Sequence, residues 1–355
     1  MKVSLFFFSG RSAEGDTDPY RLLLDATTFA DRRGFDSVWV PERHFEQFGG
    51  LYPNPSLLGA AIAARTERIQ IRAGSVVLPL HHVVRVAEEW AVVDNLSSGR
   101  IGISLAPGWH PNDFVLRPEA FRSAKADLPA AVAQLRALWR GDPVELEAGD
   151  GRRIPVRTLP RPQRRDLPLW LTTAGSGDTL ARAGELGTNL LAAMFARHQT
   201  IDELRRRVAT YRQSLVDAGR DPAAFTVTVA MHTFVGRSDD EVRECVREPI
   251  SEYLLTFIDQ SARFMGSLGS ARADDLRSMV DRAFDRYFDK AALLGSPEKC
   301  VTLIEALAGA GVDEVACLID FGVGVEQTMA SLELLDEVRT AVSRAPRSAP
   351  PPRAR

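Results

Sequence analysis

Gly34-Phe35-Asp36-Ser37-Val38-Trp39-Val40-Pro41-Glu42-Arg43-His44-Phe45 is the stretch on which the reading of the whole chain turns. A glycine able to end a helix precedes a short apolar run, which gives way abruptly to Glu42, Arg43 and His44. A buried parallel strand delivers polar groups to its C-terminal mouth in this way, and α/β folds place their chemistry there. A structural ion pair with a satisfied histidine would explain the same three residues.

Outward from this stretch, strands and helices alternate. Residues 2–8 read as the first strand, 19–33 as an amphipathic helix with Leu22, Leu23, Ala26, Phe29 and Ala30 on one stripe, and 36–40 as the second strand. A helix over 55–65, a strand over 69–78, a helix over 83–96 and a strand over 101–105 follow. Gly74-Ser75 inside the third strand signals a bulge or a close backbone approach by a ligand. The spacing then predicts a helix over 120–139, kinked or delayed by Pro129, and a hairpin joining 144–146 to 153–158 within a Gly/Pro/Arg-rich excursion over 141–166. Further strands are expected over 167–172, 189–192, 225–235 and 315–319, with helices between them. Residues 238–294 exceed a single crossover and read as two or three helices broken over 266–273, an insertion lying over one end of the sheet. Ser296-Pro297-Glu298 is an N-cap arrangement for the helix that follows. Eight alternations predict an α/β fold, an eightfold β/α (TIM-type) barrel over 1–343 with a helical insertion after strand seven; a doubly wound sheet is the alternative. The Pro/Arg-rich residues 344–355 cannot bury apolar surface and are expected to be a disordered tail.

Lys plus Arg number 44 against 47 acidic residues, a net charge of −3, so no global field recruits nucleic acid or an anionic membrane. Cys245, Cys300 and Cys317 lack a CxxC pair, which argues against a disulfide framework or structural zinc and fits a reducing cytoplasm. The apolar run near Met1 is too short for a secretory h-region, and no stretch is long enough to span a bilayer.

In a barrel the strand ends converge on one mouth, bringing together Ser9, Glu42, Arg43, His44, Ser75, Trp109, His110, Thr172, Thr173, Met194, His232 and Asp320. That set lacks a metal-ligand pattern; His81 and His82 are adjacent and read as a loop before a helix. No GxSxG elbow and no GxxxxGK loop occurs, which sets aside the usual serine hydrolases and P-loop NTPases. Thr172-Thr173-Ala174-Gly175-Ser176-Gly177-Asp178-Thr179 joins a strand to a helix and could bind phosphate through backbone N–H groups and the hydroxyls of Ser176 and Thr179. An ordinary loop capped by Ser176 or Asp178 reads equally well. Phe321-Gly322-Val323-Gly324 is a weaker phosphate candidate. Trp109 and His110 could stack a planar ring or belong to the core, and His232 could line the pocket or be a satisfied barrel histidine.

The series Gly34 to Phe45, Leu78-Pro79 with Arg85-Val86-Ala87-Glu88, Ser97-Ser98-Gly99-Arg100, Gly108-Trp109 and Leu294-Gly295-Ser296-Pro297-Glu298 resembles the bacterial luciferase-like flavin monooxygenases, in that family's order, from residue 2 to about 340. His232-Thr233-Phe234-Val235-Gly236 and Val246-Arg247-Glu248-Pro249 resemble its subgroup from natural-product assembly lines. The resemblance implies a barrel that takes reduced FMN from a separate NAD(P)H-dependent flavin reductase and uses O2 on a small-molecule or carrier-protein-bound substrate, without a metal. It also implies a homodimer. The flavin ring would lie against Gly74 and Ser75, where the family carries a non-prolyl cis peptide. The phosphate would lie at Ala174, Gly175, Ser176 and Thr179, with Lys125 standing where the family has a phosphate-contacting arginine. Glu42-Arg43-His44-Phe45 matches the family's Glu-His-His-Phe motif with Arg43 in place of the first histidine, and Ala106 and Pro107 replace a cysteine and an arginine. His44 is then the expected proton-handling group, with Arg43 and Glu42 setting its ionisation or holding substrate, and Trp109, His110, Met194 and His232 lining the pocket. A deazaflavin-dependent hydride transfer on the same barrel and a catalytically silent flavin binder are the alternatives.

Overall fold

The structure, a computed structural model, describes residues 1–8, 18–46, 48–194, 200–265 and 273–344. Ser9, most of the expected break over 266–273 and the tail from 345 lie outside the described residues.

Strands β1 (Lys2–Phe6), β2 (Ser37–Val40), β3 (Gln70–Val77) and β4 (Ile101–Ala106) alternate with helices α1 (Arg21–Arg33), α2 (Pro55–Ala63), α3 (Val83–Leu96) and α4 (Ala124–Arg140). An antiparallel hairpin of β5 (Val144–Glu147) and β6 (Arg153–Val156) fills the excursion. Then come β7 (Leu169–Thr173), α5 (Gly177–Leu186), β8 (Asn189–Ala193), α6 (Ile201–Asp217) and β9 (Val227–Val235). Helices α7 (Asp239–Met265) and α8 (Ala273–Lys290) form the insertion, followed by β10 (Leu293–Gly295), α9 (Pro297–Gly309), β11 (Glu314–Leu318) and α10 (Val325–Arg344). β1 pairs in parallel with both β2 and β11, and β9 with both β8 and β11, so eight strands close into a TIM-type barrel rather than an open doubly wound sheet.

Local chemistry accounts for the element ends. Gly34 stops α1 at φ 82°, a conformation that glycine adopts without steric cost. Asn54 caps α2 ahead of a proline at its first position. Two differences from the sequence reading have simple causes. The fourth helix starts at Ala124, because Pro111–Leu116 and Pro118–Ala120 form short 3₁₀ turns first, and Pro129 falls inside it. Leu293–Gly295, read as the end of the insertion, pairs with Thr233–Val235 as a short added strand.

The core has two parts. Outward strand residues such as Val3, Leu5, Val38, Ile71 and Ile103 pack under the helices. Inward residues, among them Phe6, Trp39, Trp170, Ala230, Ala316 and Leu318, join Val246, Ile250, Tyr253, Phe284 and Phe288 of α7 and α8, so the barrel interior continues into the insertion. Deep in the barrel, Glu314 accepts from Ser4 Oγ at 2.6 Å, Ser37 Oγ at 2.8 Å, Trp39 Nε1 at 3.0 Å, Arg72 Nη1 at 2.6 Å and Thr228 Oγ1 at 3.0 Å. Arg72 lies between the Trp39 and Trp170 rings, 5.0 and 4.6 Å from their centroids. Burial alone would raise the Glu314 carboxyl; the Arg72 charge and the hydroxyl and indole donors outweigh it and hold it down to about 2. Among the described residues, no helix is long and apolar enough to cross a membrane.

Candidate active site

Glu42 leaves β2 through Pro41 and turns its carboxylate into the protein, where its side chain is 0% exposed. A carboxylate there must be supplied with donors. Oε1 accepts from His44 Nε2 at 2.9 Å and from His81 Nε2 at 2.6 Å, and Oε2 accepts the Val77 N–H at 2.7 Å. A carboxylate can only accept, so each imidazole faces it through an N–H. Burial works to raise the Glu42 carboxyl, but the His44 and His81 hydrogen bonds and the Val77 amide lower it below its ordinary value. Desolvation works to lower His81, yet the bond and charge of Glu42, with Glu89, raise it.

Beside this clamp, Arg43 is buried, and its guanidinium lies 5.1 Å from the Phe8 ring, 5.3 Å from Phe48 and 5.9 Å from Trp109. Burial lowers its pKa against the pull of Tyr253, Asp113 and Glu46. Gly49, at φ 83°, allows this packing, since a Cβ there would meet Arg43 Cγ at 2.6 Å. Trp109 packs edge-on to His110 at 5.3 Å, and His110 Nδ1 stands 3.9 Å from Asp113 Oδ1. Burial raises the Asp113 carboxyl, opposed by His110, Arg43 and His44. Asp320 accepts the Phe8 N–H at 2.9 and 3.0 Å and the Tyr52 hydroxyl at 3.0 Å, tying the end of β1 to the loop after β2.

The expected flavin platform comprises two adjoining pieces. The Gly74–Ser75 peptide is cis and sits at a bulge in β3. A Cβ on Gly74 would meet Phe6 Cε2 at 2.8 Å and Trp39 Cε3 at 3.1 Å, so this position has no room for a side chain. Ser75 Oγ bonds Thr172 Oγ1, which also meets Ser104 Oγ at 2.7 Å, giving three hydroxyls from β3, β4 and β7 on one side of the mouth. Above β7, Gly175 takes φ 100° and donates its N–H to the Thr173 hydroxyl oxygen at 2.9 Å. Ser176 caps α5, its hydroxyl accepting from Thr179 N at 3.4 Å and meeting Thr179 Oγ1 at 2.8 Å. Arg207 of α6, paired with Glu203, packs against Gly175, where a Cβ would lie 2.4 Å from Nη1. Exposed hydroxyls, helix N–H groups and a guanidinium are the donors that a flavin nucleotide's phosphate needs, so these residues fit the group.

Other expected site residues are placed differently. Ala174 is exposed in the loop, and Lys125 is exposed in the first turn of α4, with no hydrogen bond or ion pair joining it to that loop among the described residues. Met194 is buried in the outer core under the helices. His232 is fully buried, its Nδ1 bonded to the Tyr287 hydroxyl and its ring edge-on to Tyr253 at 4.1 Å and Phe321 at 5.4 Å. Burial pushes it down to about 3, which keeps it neutral. His81, Ser104, Asp113 and Arg207 were missed in the sequence. The one signal for His81 was that a buried Glu42 needs partners. Among the described residues, no group of three His, Cys, Asp or Glu could hold a metal.

A β/α barrel with its polar and titratable groups gathered beyond the strand C-termini has the architecture of an enzyme, and this mouth suits a planar, phosphate-bearing cofactor. The luciferase-like monooxygenase family model matches residues 1–314, and the chain belongs to that family of flavin-dependent oxidoreductases. It is 25% identical over 353 residues to the oxygenase component of flavin-dependent trigonelline monooxygenase from Acinetobacter baylyi, covering 97% of this chain and 96% of that protein. Among solved structures, monooxygenase RslO1 from Streptomyces bottropensis superposes with a TM-score of 0.76 at 22% identity, over 97% of this chain and 100% of the other. The oxygenating constituent of 3,6-diketocamphane monooxygenase from Pseudomonas putida, a type II Baeyer-Villiger enzyme in complex with FMN, matches with a TM-score of 0.76 at 20% identity, over 96% and 98% of the two chains.

Proposed function

We propose that this chain is the oxygenase component of a two-component system. It takes reduced FMN from a separate NAD(P)H-dependent reductase and uses O2 to hydroxylate a natural-product intermediate, free or carrier-tethered. The observation that carries the reading is the His44–Glu42 pair, a histidine held by a buried carboxylate at the mouth, beside the Ser75–Ser104–Thr172 hydroxyls. The trigonelline relative, named as an oxygenase component, supports the two-component arrangement.

Ser75 and Thr172 would meet the flavin ring, and Gly175, Ser176 and Thr179 with Arg207 its phosphate. When bound, reduced flavin supplies the electrons that activate dioxygen. The protein's part is to orient, to exclude water and to move a proton. Glu42 engages Nε2 of His44 and so fixes the ring, leaving Nδ1 as the atom that takes or releases a proton. Arg43, held among Phe8, Phe48 and Trp109, puts a positive charge beside that histidine for an anionic substrate group or oxygen. The apolar faces of α7 and α8 keep water from the barrel interior.

The test is stopped-flow absorbance after protein with reduced FMN is mixed with oxygenated buffer. A transient that outlives the oxidation of free reduced flavin, and that decays faster with the right substrate, is expected. Oxidation indistinguishable from that of free flavin would overturn the reading, and titration with a deazaflavin would then separate hydride transfer from silent flavin binding. His44→Ala should retain flavin and lose turnover by about 10²- to 10⁴-fold.

A further inference from the structure

Glu42 has two imidazoles on a single oxygen. His44 Nε2 approaches Oε1 at 2.9 Å, while His81 Nε2, from the short connection between β3 and α3, approaches the same atom at 2.6 Å. The two differ in their access to solvent. The His44 side chain is 9% exposed and the His81 side chain 28%. His81 lines an open groove of about 920 Å³ on the flank of the barrel, together with Pro79, Arg117, Glu119, Leu128 and Gln134. A solvent proton can therefore reach His81 without passing through the mouth.

One buried carboxylate can compensate one imidazolium fully; a second beside it meets like-charge repulsion at short range. The shorter contact and the smaller desolvation cost both favour His81 as the charged member. We propose that His81 is a positioning residue for His44: by sharing Glu42 Oε1 and taking the proton from the flank, it holds His44 neutral at the mouth and ready to act as a base. The inference rests on the proposed role of His44.

Other charged groups face the pair. Glu89 of α3 acts on His81. Asp113 from the 3₁₀ turn acts on His44 and Glu42 from the mouth, with Arg43 and His110 beside it. Arg117 Nη1 donates to the His81 backbone carbonyl at 3.2 Å, and Glu119 lines the groove. None of these replaces the shared oxygen, so the coupling of the two imidazoles is the quantity to measure.

The experiment uses full-length protein with ¹⁵N-labelled histidine, free of flavin, titrated by NMR, with signals assigned from single His→Asn variants. In His81→Asn the titration of His44 should move upward by about one pH unit, the interaction expected of a coupled pair. In His44→Asn the titration of His81 should barely move, because His81 charges while His44 is still neutral and no imidazolium is removed. In Glu42→Gln both should move downward. His82→Asn, whose ring caps α3 by accepting from Val84 N, should leave His44 unmoved. His44 titrating identically with and without His81, or His81 moving upward when His44 is removed, would overturn the proposal; the His44→Asn arm keeps the test decisive if His81→Asn fails to fold. A second readout is the pH profile of turnover, whose limb should shift in His81→Asn in the direction of the His44 titration. Coupled titrations with an unmoved profile would leave the pair standing and instead overturn the assignment of His44 to proton handling.

Discussion

Two of the buried carboxylates of this barrel, Glu314 and Glu42, do different things. Glu314, deep among the strands, gathers five side-chain donors, the only charged one being Arg72. Hydroxyls, an indole and a guanidinium are not groups that change charge near neutral pH. Glu42, at the mouth, takes a backbone amide and two histidines. Both carboxyls are lowered despite burial. The difference lies in the partners: arginine, hydroxyls and indole make a fixed plug, whereas imidazoles make a site whose charge can change. A perturbed carboxyl is therefore a functional signal only when what perturbs it can itself titrate.

The comparison breaks first if the plug is not structural. Glu314→Ala would leave the buried Arg72 with Asp36, 3.0 Å from its Nη2, as its remaining counter-charge, a change worth about 3 kcal/mol of stability. Chemical denaturation should show it as the larger loss. Replacing both partners, as in Glu314→Leu with Arg72→Met, should recover part of that loss, since the buried charge is removed and Asp36 keeps Lys2 at 3.0 Å, while Trp39 Nε1 and the hydroxyls still lack their acceptor. A single variant as stable as the wild type would mean that Arg72 finds solvent or another anion.

Glu42→Gln sharpens the comparison from the other side. The amide keeps the shape and loses the charge, at about 1–3 kcal/mol of stability, less than Glu314→Ala. Turnover should fall by about 10²-fold, through loss of the group that orients His44. Flavin binding, measured by fluorescence quenching, should survive, because the hydroxyl platform and the α5 cap are untouched. If flavin binding is lost and turnover per bound flavin is normal, Glu42 belongs with Glu314 as architecture.

The two carboxylates also mark what could be read from the sequence. The β/α alternation gave the barrel, because burial on both faces writes itself as short apolar runs separated by amphipathic helices. Glu42, Arg43 and His44 stood out because three polar residues end an apolar run, and the small residues 174–177 stood out as a capped turn. Glu314 did not stand out at all, since the eighth strand was read as beginning one residue later. Its partner Arg72 is 242 positions away, and register across a closed barrel is not a local property. His81 was read as a loop residue for the same reason: that Glu42 needs donors is local, but which donors reach it is decided by how β2 and β3 pair. Met194 and Lys125 show the limit from the other direction. Each sits near a strand end or a matched position in sequence, yet one faces the outer core and the other solvent.

The smallest effect separates the two carboxylates most cleanly, because it depends on sign. Glu314 has a folded value of about 2 against an ordinary 4.5, so its contribution is present above 4.5 and is lost as pH falls toward 2. Its charged partner is a guanidinium, a group that stays protonated in proteins, so nothing is lost on the alkaline side. Glu42 is likewise lowered from 4.5 and loses its contribution on the acid side. His81, however, is raised above 6.5, so what it adds is present below that value and is lost as pH rises through its folded value. The stability difference between wild type and Glu314→Gln should therefore be flat at neutral and alkaline pH and should shrink only in acid. The difference between wild type and Glu42→Gln should shrink on both sides. Denaturation midpoints collected from pH 3 to pH 9 would resolve the two shapes. A flat alkaline limb for Glu42→Gln would mean that His81 is not the charged partner of that carboxylate, and the mouth would then differ from the plug in its position alone.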